Sequence, residues 1–160
     1  MLTSAITSDI QHHVNEDEKQ AYNIVISQTP TGANDVFLYV KNTSEDNLWV
    51  ASIFLRSASA ESVNFVLGDT GTPAGGATYT PVNKNAGSAN LATGTFQTGN
   101  NITGLSGGST VDTIFAGTTT EHYHWESGLI LPKNQIFTLY AVTGAVAINM
   151  TVNIFYHSNR

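Results

Sequence analysis

The sequence predicts an all-β protein: a jelly-roll-like two-sheet β-sandwich of about eight to ten strands, with an extended N-terminal arm. Three observations predict it. Apolar and polar residues alternate over short runs, turn-forming residues separate those runs, and after Tyr22 no stretch of twelve residues shows a helical period. Composition agrees. Charged residues are 11% of the chain, against roughly 25% in an average soluble domain, and Gly, Thr, Ser and Asn take their place, as in loop-rich β proteins. At 160 residues and 41% hydrophobic content, one domain can bury a full core.

Residues 1–20 stand apart as the arm, and residues 21–160 form the sandwich domain. Leu2, Ala5, Ile6 and Ile10 lie near helical spacing, but the Thr and Ser between them are poor helix formers. His12-His13 and the charged run Glu16-Asp17-Glu18-Lys19 follow. Leu2, Ile6 and Ile10 have no partner strand in the sequence. A terminus stays loose unless something ties it down, so these three are the candidates for gripping a neighbouring subunit.

The first strand places Tyr22, Ile24 and Ile26 on one face. A turn follows, in which Pro30 presets φ and Gly32 is free to take a positive one. Val36, Leu38 and Val40 then alternate with Phe37, Tyr39 and Lys41. After a polar loop, Trp49, Ala51, Ile53 and Leu55 oppose Val50, Ser52, Phe54 and Arg56. Val63, Phe65 and Leu67 mark the next strand.

Residues 70–109 contain no acid, one cation (Lys84) and nine of the 14 glycines. Forty structureless residues are rare inside a compact domain. Recurring Tyr79, Val82, Leu91, Phe96 and Ile102 argue for short strands at residues 78–82, 90–96 and 102–105. Strands at residues 111–115, 122–125 and 136–142 come next, with a turn at Pro132-Lys-Asn and a break at Gly144. Residues 146–156 alternate strictly. Val146, Ile148, Met150, Val152, Ile154 and Tyr156 oppose Ala147, Asn149, Thr151, Asn153 and Phe155, which predicts one of the longest strands, buried on one side.

Several function classes lose support at once. Six cations against twelve acids give a net charge of −6, which supplies no cationic face for nucleic acid. No apolar run approaches the roughly 20 residues of a membrane span, and the N-terminus lacks the charged and apolar regions of a signal peptide. Without cysteine there is no disulfide, thiolate metal site or thiol nucleophile. No serine sits in a Gly-x-Ser-x-Gly elbow, and Gly71-Thr-Pro-Ala-Gly-Gly lacks the Gly-Lys-Ser/Thr of a phosphate loop. A pair of carboxylates for glycoside hydrolysis has to come from Glu16, Asp35, Glu61, Asp69, Asp112, Glu121 or Glu126, and sequence alone brings no two together. The expectation is a protein that is no enzyme and holds no cofactor.

The most suggestive cluster is Glu121-His-Tyr-His-Trp-Glu126. On a strand His122, His124 and Glu126 point the same way, which makes them the candidate metal ligands. Cupins hold a metal with such a His-x-His inside a jelly-roll barrel. Here the flanking Gly117 and Glu126 are misplaced for that pattern, and no later histidine follows a Pro-x-Gly. A second option is one ion shared by three chains at a threefold axis, as in phage tail tips. The third is a polar strand face or subunit contact, with Tyr123 and Trp125 packed inward. Exposed aromatics from Trp49, Trp125 and the tyrosines also leave open a carbohydrate platform.

Asn83, Asn85, Gly87, Ser88, Leu91 and Ala92 fall in an N-x-N-x-G-S-x-x-L-x-A pattern. With the strand Asp35-Val-Phe-Leu-Tyr-Val-Lys-Asn42 and the late turn Ile130-Leu-Pro-Lys133, this resembles a loose group of structural proteins of tailed bacteriophages. The likeness runs from about residue 34 to the C-terminus, leaving residues 1–20 and 121–126 outside it. It implies a jelly-roll-like virion protein, made in the host cytoplasm, that decorates or cements the capsid by binding the major capsid protein, as a homotrimer. The alternatives are a receptor- or carbohydrate-binding head or tail fibre domain and a cupin-like metal-binding protein.

Overall fold

Eight antiparallel strands carry the architecture, and the chain crosses between two sheets after almost every one. The computed structural model describes residues 13–157, and for residues 125–127 the backbone path alone. The strands are β1 (Ala21–Gln28), β2 (Asp35–Asn42), β3 (Asn47–Ser57), β4 (Glu61–Leu67), β5 (Thr70–Ala74), β6 (Ala77–Thr78), β7 (Val82–Asn83), β8 (Gly94–Ser106), β9 (Ser109–Ala116), β10 (Glu121–Leu131), β11 (Ile136–Ala141) and β12 (Ile148–His157). One sheet runs β10-β3-β12-β1-β7, the other β5-β8-β2-β11-β4-β9, with β6 also on β8. Without β5–β8, two four-stranded sheets remain, β10-β3-β12-β1 facing β9-β4-β11-β2. That is the jelly-roll order, so the fold is the expected all-β sandwich. Its twelve strands exceed the expected number because the segment between β4 and β9 adds four, two of them only two residues long.

The core lies between the sheets and follows the period of two. From one side come Tyr22, Ile24, Ile26, Leu48, Val50, Ile53, Leu55, Ile148, Met150, Val152, Ile154 and Tyr156, all buried. From the other come Phe37, Leu38, Val40, Val63, Phe65, Phe137 and Leu139. In β3 the expected faces are partly exchanged. Asn153 pairs with Ser52 while Ile154 pairs with Val50, so Ala51 bulges. The extra residue moves Val50 inward and puts Trp49 and Ala51 on the outer face, although simple alternation groups them with Ile53 and Leu55. β12 starts at Ile148 instead of Val146, because Gly144 and Ala145 take positive φ (76° and 56°) and complete a turn first.

The segment between β4 and β9 is folded, and it closes one side of the sandwich. β7 pairs with β1 and β8 with β2, so it extends both sheets at neighbouring edges. Where that pairing stops, its side chains take over the β1 backbone. The Tyr79 hydroxyl accepts from Val25 N–H at 2.8 Å, and Asn100 Oδ1 accepts from Thr29 N–H at 3.0 Å. Edge donors are thereby paired rather than left to other chains. On the opposite side β9 and β10 are the outermost strands, tied together by Tyr123, whose hydroxyl donates to the Phe115 carbonyl at 3.1 Å. β10 pairs with β3 on both sides of an irregularity between His124 and Leu129. Such a bulge bends an edge strand out of register for pairing with another chain.

Residues 13–20, grouped with the arm from sequence, lie on the chain's own sheet. Val14 is fully buried against Ala21, Ala51 and Phe155, with Trp49 alongside, and Val14–Glu18 makes one wide helical turn closed by Lys19 N–H on the Val14 carbonyl. Leu2, Ile6 and Ile10 lie outside the described residues.

Candidate functional site

Among the described residues, those that the sequence singled out gather at two places: a clamp around residues 15–19, and the outer face of the five-stranded sheet. The clamp is built by the motif that carries the phage resemblance. Asn83 Nδ2 donates to the carbonyls of Lys19 (2.9 Å) and Asn90 (3.1 Å), while its Oδ1 accepts from Asn85 N–H at 2.8 Å. Asn85 repeats the device, donating to the Asn15 carbonyl at 3.0 Å and accepting from Gly87 N–H at 3.1 Å. Ser88 Oγ accepts from Asn90 N–H at 3.0 Å. Asn and Ser suit this because their short polar side chains reach backbone groups two residues on and still offer a donor outward. Ala92 packs on the core, whereas Leu91 is 72% exposed.

On the outer face, strand register aligns side chains into rows across β1, β12, β3 and β10. Asn23, Asn153, Ser52 and His124 make one row. Val25, Thr151, Phe54 and His122 make the next. Ser27, Asn149 and Arg56 make a third. Thus His122 and His124 do share a face, as the His-x-His spacing predicts, and both are exposed. The His122 ring lies parallel on Phe54 with centroids 4.2 Å apart. Glu126 contributes no described side chain. Among the described residues no three His, Asp or Glu side chains are grouped as a metal site.

Beside this stack lies an open depression of about 350 Å³, lined by Val25, Ser27, Phe54, Arg56, Asn149 and Thr151 among others. Sequence reasoning placed Phe54 and Arg56 on a strand face without assigning them a role. The signal was the polar half of the β12 alternation, Asn149, Thr151 and Asn153, whose neighbours only the register reveals.

Three of the carboxylates considered for acid–base chemistry, Asp35, Glu61 and Asp69, serve loops. Glu61 accepts from Ser62, Thr143 and Gly144 N–H groups at 2.8–2.9 Å and so holds the turn before β12. Asp69, buried, accepts from the hydroxyls of Thr138 (2.5 Å) and Tyr140 (2.9 Å) and from Gly108 N–H (3.0 Å). It thereby fixes both ends of the inserted segment to β11. Burial, reinforced by the hydrogen bond to Asp69 and its negative charge, pushes the Tyr140 phenol up to about 12. Burial likewise raises Tyr123, with the carboxylates of Glu121 and Asp112 adding to the effect. Asp35 holds the preceding turn through Gly32 N–H and the Thr31 hydroxyl. The arrangement therefore offers ordered loops and a mixed polar and aromatic face. No protein-family model matches this chain, and no curated protein matches it.

Proposed function

We propose that this protein is a non-enzymatic structural component of a tailed-phage virion, decorating or cementing the capsid by binding major capsid subunits as a homotrimer. The observation that carries the reading is the clamp. Two letters of the phage-like motif, Asn83 and Asn85, bond the carbonyls of Lys19 and Asn15, and Ser88 braces Asn83, so the motif ties residues 15–19 to the sandwich. A rooted arm is what an assembly protein needs. A fixed starting point lowers the entropy lost when the arm binds a neighbour, and apolar burial by Leu2, Ile6 and Ile10 offsets the rest. Low charge also suits a chain set among contacts, because few ions are desolvated on assembly.

Mass spectrometry of purified virions with copy-number determination tests this. Hundreds of copies per particle support a capsid component. A handful moves the protein to a fibre, and absence from the particle overturns the virion assignment.

A further inference from the structure

We propose that the outer face of the five-stranded sheet binds an acidic oligosaccharide in the depression between Val25 and Phe54. Three features of the face point to this ligand class. Phe54 is 41% exposed and lines the depression, and the His122 ring stacked parallel on it holds that aromatic surface in place. The C–H face of a pyranose packs there, as apolar surface does on any aromatic ring. Around it, Ser27, Asn149 and Thr151 carry side-chain hydroxyls and an amide with no partner among the described residues, set side by side by strand register. A few placed polar groups on an otherwise shaped surface are what confer orientation on a small ligand.

Charge selects the subclass. Arg56 lines the same depression, exposed, and no carboxylate pairs with it among the described residues. Among the described residues, the three rows around the depression hold no Asp or Glu, in a chain of net charge −6. A guanidinium is a planar fork that takes a carboxylate through two parallel hydrogen bonds, so a uronic or sialic acid residue complements the site better than a neutral sugar. A protein partner fits less well. Stable protein interfaces bury about 800 Å² per side around an apolar centre, and Val25 and Phe54 are the large exposed hydrophobics that line this depression. The inference does not rest on the virion assignment, because it concerns the purified chain.

The test is binding of the full chain to trigalacturonate, sialyllactose and a hyaluronan fragment, with cellotriose and maltotriose as neutral controls. Isothermal titration gives affinity, and amide chemical shifts give location. At least one acidic sugar is expected to bind, shifting amides of Val25, Phe54, Arg56 and Thr151, with the neutral sugars at least tenfold weaker. Arg56→Gln is expected to remove that preference, and Phe54→Ala to weaken acidic and neutral sugars alike. Both side chains are exposed, and unchanged melting confirms that the variants are folded. The proposal is overturned if no acidic sugar binds, if shifts map elsewhere, if Arg56→Gln leaves affinity unchanged, or if a glutamate peptide of equal charge binds as tightly. Copy number in virions has no bearing on any of these outcomes, so the two proposals fail separately.

Discussion

Replacing Asn83 with Ala is the sharpest probe of the clamp. The side chain donates to the Lys19 and Asn90 carbonyls and to Ser88 Oγ and accepts from Asn85 N–H, four bonds of 2.8–3.3 Å. A typical intramolecular hydrogen bond contributes about 1 kcal/mol net, which sets an upper figure of about 4 kcal/mol. Asn83 is half-buried, so water recovers part of the loss, and the expected cost is about 2 kcal/mol. For a domain of this size that corresponds to a melting temperature lower by about 4–8 °C. Asn83→Asp keeps the shape and the acceptor but sets a carboxylate against two carbonyl oxygens, so it is expected to cost at least as much as Ala. Asn90→Ala is the control, since its amide reaches the Glu18 carbonyl only at 3.4 Å. It is expected to cost under about 0.5 kcal/mol. Urea unfolding measures all three, and amide exchange at Lys19 and Gln20 reports on the clamped segment itself. Were Asn83→Ala to change stability by less than about 0.5 kcal/mol, the clamp would be incidental and the reasoning refuted.

Val14→Ala removes two buried methyl groups and leaves a cavity, for an expected loss of about 2 kcal/mol in denaturant titration. Accordingly, a chain starting at Ala21 is expected to melt well below the full chain, whereas one starting at His13 keeps the parent's melting temperature and, on the virion reading, loses capsid attachment. Gly144→Ala is expected to unfold the protein at moderate temperature or abolish expression, because φ is +76° there and a Cβ meets the Gly32 carbonyl oxygen at 2.0 Å. Tyr140 makes stability depend on alkaline pH. Its folded pKa of about 12 lies above the ordinary phenol value of 10.0, so its contribution is full below pH 10 and is lost as pH rises through about 12. Tyr140→Phe is expected to flatten that part of the pH profile of urea unfolding. His122→Asn with His124→Asn is expected to stay within about 0.5 kcal/mol of the parent, since both positions are exposed. One tightly held iron or zinc per chain, or per three chains, in elemental analysis contradicts the non-metal reading of that pair.

The sequence by itself determined the fold class and most strands, because the period of two is local. Ile148, Met150, Val152, Ile154 and Tyr156 point inward whatever they pair with, since burial of every second side chain is what a one-sided strand requires. It also determined the turn chemistry, with the Pro132 carbonyl closed by Gln135 N–H and Asn134 at a φ of +67°. Tertiary structure alone decided three things. The bulge at Ala51 depends on how β3 meets β12, and it reversed the side on which Trp49 sits. The inserted segment, glycine-rich and weakly patterned, became ordered because two sheet edges were there to pair with it. The two rows that bring Phe54 to His122 and Arg56 to Asn149 exist only in the register between strands distant in sequence. Side-chain period is a property of one strand. Which side chains share a surface is a property of their pairing, and pairing is settled by the burial of the whole core.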